Sequence, residues 1–327
     1  MSDLIGIVGA GRMGRGIALS YAFAGIPVFM VDIKERNATG RGELMASVFA
    51  ELRDDLSFLA EINLMDEGGI TQVLDRVSVT HFGEGNKRLK DCRFVFEAVP
   101  EVMEVKTSAF SYISKHTDKA AIVASTTSSF LVTELADLIS NPSRFLNAHW
   151  LNPAHLMPLV EVSKGDQTSR QSVTEMITSL ESIGKVPVVC SASAGYIVPR
   201  IQALAMNEAA RLVEEGVASA EDVDKAVKFG FGLRFAVLGL LEFIDWGGGD
   251  ILYYGSKYLS KSVGQRFQAP KIVEENMRNK KNGLRDGEGF FDYSDIDIVA
   301  YRKRRQKEFA AMLEHHKLLP VFDRCKI

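Results

Sequence analysis

Leu4-Ile5-Gly6-Ile7-Val8-Gly9-Ala10-Gly11-Arg12-Met13-Gly14 runs from an apolar strand-like stretch straight into G-x-G-x-x-G. A second apolar run, Val28-Phe29-Met30-Val31, closes on Asp32, eighteen residues past Gly14. The order is strand, glycine turn, helix, strand, acid. The glycines alone are a weak signal; with both strands and the acid at this distance they predict a dinucleotide-binding α/β fold rather than a turn that binds nothing. Gly9 permits the tight turn, and Gly11 lets the backbone approach a pyrophosphate. Gly14 lets the helix lie close on its strand, and the N–H groups of that helix's first turn face the phosphates. Asp32 would accept hydrogen bonds from an adenosine ribose and repel a 2′-phosphate, which favours NAD over NADP. Lys34 and Arg36 weaken that preference.

Working outward, strand-like runs alternate with helical stretches to about residue 190: Phe94–Ala98, Ala121–Ser125, Phe145–Trp150, Leu159–Ser163 and Val186–Cys190. This alternation predicts parallel βαβ units in a doubly wound sheet. Helices are expected over Arg12–Ala24, 103–116 and 129–140, with one long helix or a helical hairpin over 40–66. Pro153 and Met157-Pro158 break the chain between two late strands, as a direction-reversing turn would. After Ser191-Ala192-Ser193-Ala194-Gly195 helical periodicity takes over (Ile197–Glu215, Ala220–Phe229, Ile251–Leu259), with breaks expected at Gly230, Gly232 and Gly247-Gly248-Gly249. The predicted domains are therefore 1–190, carrying the sheet, and 191–327, all helical, with chemistry expected in a cleft between them. The basic stretch Tyr301-Arg302-Lys303-Arg304-Arg305 reads as the solvated face of a final helix.

Of the 327 residues 46% are apolar and 25% charged, ordinary for a globular protein, and a net charge of −3 points to neither nucleic acid nor an anionic membrane as partner. Cys92, Cys190 and Cys325 are widely spaced and odd in number, which matches neither a disulfide framework nor a zinc site and suits a reducing cytoplasm. The chain opens on a strand, not a charged leader with an apolar core, and no apolar run reaches membrane-spanning length. The six histidines form no metal constellation, so no metal is expected.

Oxidation of an alcohol by a nicotinamide needs a base for the hydroxyl proton, and histidine titrates near working pH. His149 ends the run Phe145-Leu146-Asn147-Ala148, at the carboxyl end of a strand, where ligands of open α/β sheets sit. Twelve residues on, Glu161 stands between Val160 and Val162, where a carboxylate needs a partner. If the two strands lie side by side, Glu161 reaches the His149 ring, sets its tautomer and stabilises the imidazolium. His155, in the intervening turn with no evident acid beside it, is the competing base, or else is exposed or lines the mouth of the cleft. Ser125-Thr126-Thr127-Ser128-Ser129 follows another strand; its hydroxyls could bind a substrate oxygen, or Ser129 or a neighbour could cap the next helix. Glu97 could face a nicotinamide ribose or be solvated.

Together with Phe96-Glu97-Ala98-Val99-Pro100-Glu101, Ser125–Ser129, His149-Trp150-Leu151-Asn152-Pro153, Pro158–Val162, Gly195-Tyr196-Ile197-Val198 and Gly287-Glu288-Gly289-Phe290, the fingerprint resembles the L-3-hydroxyacyl-CoA dehydrogenase superfamily over essentially the whole chain. The resemblance implies a Rossmann-type α/β domain followed by an all-α C-terminal domain that forms a homodimer, NAD as cofactor, and a His149–Glu161 dyad with Ser128 and Asn152 holding the substrate oxygen. It implies a cofactor groove made by Gly9, Gly11, Arg12, Met13, Gly14, Asp32, Glu97, Ala98, Val99, Glu101, Lys106 and Ser128. Two positions depart from the family: Thr126 and Pro199 stand where asparagines are usual, so a polar substrate contact is absent at Pro199, whose ring suits a first helical turn.

Gly232-Leu233-Arg234-Phe235-Ala236 replaces the G-P-F-E-type stretch of the acyl-CoA enzymes and is similar to the lambda-crystallin, L-gulonate and carnitine dehydrogenase branch, whose substrates are small free hydroxy compounds. Arg234 could grip a carboxylate bidentately, or be a surface or interface arginine. Glu51, Asp54, Asp55, Glu61, Asp66 and Glu67 surround a single Arg53 where the acyl-CoA enzymes carry a lysine-rich helix, and would repel a polyphosphate. Lys106 is a remaining CoA contact or a solvated lysine. The expectation is an NAD-dependent dehydrogenase acting on a small 3-hydroxy acid, with L-3-hydroxyacyl-CoA as the alternative substrate. An NAD-binding, crystallin-like structural protein is the alternative of another class. The lysine-based 3-hydroxyisobutyrate and 6-phosphogluconate type is disfavoured because no G-x-x-x-K opens the helical domain.

Overall fold

The computed structural model describes residues 4–83 and 86–320; Cys325 lies outside them. The chain divides into two compact units, Met1–Leu204 and Ala205–Ile327.

The first unit is built on one eight-stranded sheet: β1 (Ile5–Val8), β2 (Val28–Asp32), β3 (Val77–His81), β4 (Phe94–Glu97), β5 (Ile122–Ser125), β6 (Phe145–Trp150), β7 (Leu159–Lys164) and β8 (Val186–Ser191). Their order is β3-β2-β1-β4-β5-β6-β7-β8, doubly wound about β1 and β4. Every neighbouring pair is parallel except β6 and β7, which the Leu151–Pro158 turn sets antiparallel. The central strands are buried on both faces, which is why their sequences read as continuous apolar runs. Alternate residues serve opposite cores: Ile5, Ile7, Met30 and Phe96 pack on one face, Val8, Phe29, Val31 and Val95 on the other.

The helices of this unit are α1 (Arg12–Phe23), α2 (Ala38–Glu61), α3 (Gly69–Leu74), α4 (Asn86–Leu89), α5 (Met103–His116), α6 (Val132–Ala136), α7 (Arg170–Ser182) and the start of α8 (Val198–Glu214). The 40–66 stretch is a single helix, capped at its start by the Asn37 side chain. The helix expected over 129–140 is cut to Val132–Ala136 because the Thr127 hydroxyl accepts from Ser129 and Phe130 N–H and holds the chain in a turn there. The hydroxyls of Thr127 and Ser125, rather than that of Ser129, thus accept from the backbone here. Strand β3 escapes the apolar-run criterion because Ser78, Thr80 and His81 make it polar.

In the second unit, α9 (Ala220–Ala226), α10 (Leu233–Val237), α11 (Leu240–Gly247), α12 (Gly249–Ser262), α13 (Lys271–Arg278) and α14 (Ile298–His315) follow α8. Gly230 and Gly232 do not break the helix as expected. Residues Val227–Gly232 form a π-helical turn that carries α9 on into α10. Gly247-Gly248-Gly249 does break it, with Gly248 at φ 107°. The Gly287–Phe290 segment wraps the buried Asp245 carboxylate, which accepts from Phe290 N, Phe291 N and the Tyr293 hydroxyl at 2.9–3.2 Å. A Cβ on Gly289 would lie 2.1 Å from that carboxylate, so only glycine fits. The basic stretch of α14 is only partly solvated: Arg305 pairs with Glu242 at 2.6 Å, and Arg302 lies over the Trp246 ring.

Candidate active site

The glycine turn takes the shape its sequence demands. Gly9 has φ 115°, and a Cβ there would lie 2.4 Å from the Ala98 carbonyl; one on Gly14 would lie 2.1 Å from the Gly9 carbonyl. Both glycines are therefore forced by packing. Gly11 has nothing within 4 Å of a Cβ and faces open space, and α1 begins there with no side-chain cap. Free N–H groups and a bare backbone are thus presented to a cavity of about 440 Å³. Gly9, Gly11, Arg12, Met13, Asp32, Ala98 and Val99 line it, together with Ile33, Lys34, Arg36, Leu44, Pro100 and Val105. Gly14 lies beneath the turn. A dinucleotide with its pyrophosphate over Gly11 and its adenosine toward Asp32 fits this cradle. Asp32 is not a bare acid, because the Arg36 guanidinium donates to it through Nε at 2.6 Å.

Glu97, Lys106, Glu101 and Ser128 belong to a neighbouring network rather than to the lining. Lys106 is fully buried, its ammonium 3.0 Å from both Glu97 oxygens and 3.1 Å from Glu101. It is neither a CoA contact nor a solvated lysine. The sequence held the signal: Met103, Lys106, Phe110 and Ile113 share one stripe of α5, the side that packs on the sheet. Glu97, likewise, neither faces a ribose nor is solvated; it is fully buried, and Ser125 donates to it at 2.5 Å. Glu101 accepts from Ser128 N at 3.1 Å, Ser129 N at 2.9 Å and the Thr127 hydroxyl. Burial pushes the Glu101 carboxyl up, but the Thr127 hydroxyl and the Lys106 ammonium outweigh it and hold it below the ordinary value. The network shapes the loop that carries Ser128, whose own side chain is exposed.

His149 and Glu161 are directly opposite in the antiparallel β6–β7 register. Directly opposed side chains share a face, so the imidazole and carboxylate meet: His149 Nδ1 is 2.8 Å from Glu161 Oε2. The carboxylate can only accept, so Nδ1 carries the hydrogen and Nε2 keeps a lone pair for an incoming proton. Glu161 is fully buried, and its other oxygen accepts from Ile197 N and Val198 N at 2.9 Å, at the start of α8. Pro199 follows in that first turn, where a missing N–H leaves no helical bond unmade.

The Tyr196 ring is stacked on His149, centroids 4.7 Å apart and 7° from parallel. Its hydroxyl donates to the Thr127 carbonyl at 2.8 Å and accepts from Asn147 at 3.1 Å. In the sequence Tyr196 stands out only within Gly195-Tyr196-Ile197-Val198, because its partners Asn147 and Thr127 lie far off along the chain.

Asn152 is exposed in the turn after β6. His155 does have an acid beside it: Asp55 of α2 approaches Nδ1 to 3.7 Å. Of the acidic set on and after α2, Glu51 is paired with Arg15 and Asp55 with His155, while Asp54, Glu61, Asp66 and Glu67 are exposed. Arg234 is exposed; its Nε donates to the Gly230 carbonyl at 2.7 Å and its guanidinium lies over Phe243. Among the described residues no three His, Cys, Asp or Glu side chains cluster as metal ligands, and no helix is long and apolar enough to cross a membrane.

Residues 4–193 match the family model of the 3-hydroxyacyl-CoA dehydrogenase NAD binding domain, and residues 195–293 that of the 3-hydroxyacyl-CoA dehydrogenase C-terminal domain. A 5-formyl-3-hydroxy-2-methylpyridine 4-carboxylate 5-dehydrogenase of Mesorhizobium japonicum is 32% identical over 310 residues, 94% of this chain and 96% of that protein. A probable 3-hydroxybutyryl-CoA dehydrogenase of Deinococcus radiodurans is 32% identical over 290 residues, 88% and 99% of the two chains. The crystal structure of a 3-hydroxyacyl-CoA dehydrogenase from Archaeoglobus fulgidus superposes with a TM-score of 0.77 at 30% identity, covering 97% of this chain and 99% of that one.

Proposed function

The chain belongs to the 3-hydroxyacyl-CoA dehydrogenase family of NAD-dependent oxidoreductases, and from that premise we propose that it oxidises the secondary hydroxyl of a small 3-hydroxy acid, or reduces the 3-keto form. The observation that carries the chemistry is the buried His149–Glu161 pair, His149 standing at the carboxyl end of β6. NAD, when bound, supplies the acceptor for the hydrogen that leaves carbon with its electron pair. His149 takes the hydroxyl proton on Nε2. Glu161 holds Nδ1–H, keeps the ring in the accepting tautomer and stabilises the imidazolium. Ile197 and Val198 N–H in turn hold Glu161, and Tyr196 fixes the plane of the imidazole. Ser128 and Asn152, both exposed, are assigned to the reacting oxygen. In the reverse direction His149 returns the proton to the carbonyl oxygen.

A free acid is preferred over a thioester for two reasons. The exposed acids on and after α2 oppose a polyphosphate, and the Mesorhizobium relative is named for a free carboxylate. Arg234 is proposed as the group that pairs with the acid. The names of the Deinococcus and Archaeoglobus relatives favour the second reading, a 3-hydroxybutyryl-CoA dehydrogenase. We also assign the protein to the cytoplasm, which suits the free thiols of Cys92 and Cys190, and propose that it works as a homodimer through its second unit.

Turnover of free 3-hydroxy acids beside 3-hydroxybutyryl-CoA, followed by nicotinamide absorbance, tests the substrate. The expected result is a higher kcat/KM for a free acid; efficient turnover of the thioester alone would discard that branch and leave the base assignment standing. His149→Gln is expected to lower kcat by about 10²–10⁴. A rate close to the parent's would move the base elsewhere, with His155 next in line.

A further inference from the structure

The adenosine end of the groove carries charge that a dinucleotide with a free ribose does not need. Among the described residues Asp32 is the one acid of the lining, and Arg36 already neutralises it at 2.6 Å. The bond uses Nε alone, so among the described residues the two terminal nitrogens of the guanidinium have no partner, and the side chain is about one-third exposed. Arg12 and Lys34, also in the lining, are exposed and make no side-chain hydrogen bond or ion pair with the described residues. On the far side of Asp32 stands His81, directly paired with it in the β2–β3 register. Its Nδ1 is buried without a hydrogen-bond partner among the described residues, 3.9 Å from the oxygen that Arg36 holds.

An unpaired carboxylate at this position would repel a phosphate dianion. Here the repulsion is cancelled in place, and the two terminal NH2 groups of the guanidinium and two further cations, Arg12 and Lys34, line the same space. We propose that this end of the groove accepts a 2′-phosphate, so that the protein binds NADP(H) as well as NAD(H). Arg36 bridges Asp32 and the phosphate, or turns wholly to the phosphate and leaves the Asp32 oxygen to His81. Arg12 and Lys34 add charge without fixed geometry. The inference rests on the dinucleotide reading of the groove and is independent of which hydroxy compound is turned over.

Direct binding tests it on the intact protein, by nicotinamide fluorescence or calorimetry with NADH and NADPH. The dissociation constant for NADPH is expected within about tenfold of that for NADH, and to rise more steeply with salt because phosphate pairing is screened. Arg36→Gln is expected to raise the NADPH/NADH ratio of dissociation constants by about tenfold or more, and Asp32→Asn to lower it. NADPH bound more than about tenfold more weakly than NADH by the parent overturns the proposal, as does a ratio that Arg36→Gln leaves unchanged. Failure of NADPH alone leaves the cofactor reading intact; failure of both dinucleotides overturns that reading and this proposal together.

Discussion

Both oxygens of Glu161 are committed, one to His149 Nδ1 and the other to two backbone N–H groups, so the imidazole has a single well-defined position along its edge. Tyr196 defines its plane. That residue sits at φ 46°, an uncommon conformation for a bulky side chain, and is held there by the bonds of its hydroxyl to Thr127 and Asn147. Tyr196 is therefore a positioning residue. Tyr196→Phe keeps the stack and leaves two buried polar groups short of a partner, at a cost of about 1–3 kcal/mol in stability. Its kcat should stay within about tenfold of the parent's, whereas Tyr196→Leu, which frees the ring to tilt, should lose about 10²-fold in kcat with a smaller change in KM. Steady-state kinetics of both variants check this, and a Leu variant that keeps the parent kcat would reduce Tyr196 to packing. At this scale the sequence was informative wherever a residue was out of character locally. Glu161 between two valines announces a buried acid; Lys106 on the apolar stripe of α5 carries the same kind of signal, yet the expectation from sequence is a CoA contact or a solvated lysine. Tyr196 gives no such sign: a tyrosine after a glycine is ordinary, and only the fold brings Asn147 and Thr127 to it.

The turn between β6 and β7 shows how whole elements hold the site. Ala154 packs where a Cβ on Gly16 of α1 would come within 2.9 Å, and its carbonyl accepts from Ser20 of α1 at 3.2 Å. Lys185, just before β8, donates to the Ala154 carbonyl at 2.6 Å and to the Met157 carbonyl at 3.0 Å. Burial pushes the Lys185 ammonium down to about 8 from its ordinary 10.5. Between those values the unfolded chain binds more protons than the folded one, so this group adds stability as pH rises through that window and withdraws it as pH falls through about 8. Burial raises Cys92 and Tyr21, which act in the opposite sense at higher pH. The quantity to read is therefore the difference between parent and Lys185→Met. The variant's melting temperature is expected to lie below the parent's, by an amount that grows from pH 8 to pH 10 and reaches on the order of 1 kcal/mol, a few degrees. A difference constant across that range would show that Lys185 does not titrate there. The prolines made this turn legible, and the need of Glu161 for a partner pointed to its pairing with His149, which the register of the two strands provides. Strand β3 and the π-helical turn at Val227–Gly232 were not, because a polar edge strand lacks an apolar run and glycine is only a weak helix breaker where neighbours pack.

The two units differ in how much apolar surface each buries for itself. Among the described residues of Ala205–Ile327 the buried hydrophobic side chains are Val223, Leu238, Val273, Leu284, Tyr293 and Tyr301, few for a unit of that length. Its exposed side chains include Met206 at 64%, Val217 at 64% and Phe229 at 56%. On α12, Ile251, Tyr254 and Tyr258 recur at i, i+3 and i+7, a single helical face, and are 67%, 58% and 69% exposed. Apolar stripes of this kind mark protein–protein contacts, and a second copy of the same chain is the simplest partner that is always present. The protein is expected to sediment as a dimer, with a melting temperature that rises with concentration. Substituting Ile251→Asp together with Tyr258→Asp should yield monomers, since a charge buried at an interface without a partner is strongly unfavourable. Because both positions are exposed within one chain, the circular dichroism of the monomeric variant should match the parent's, and NADH binding reports that its first unit is folded. Sedimentation of the parent as a monomer at the highest concentrations of the assay would remove the second unit's role in assembly and leave its exposed stripe to another partner.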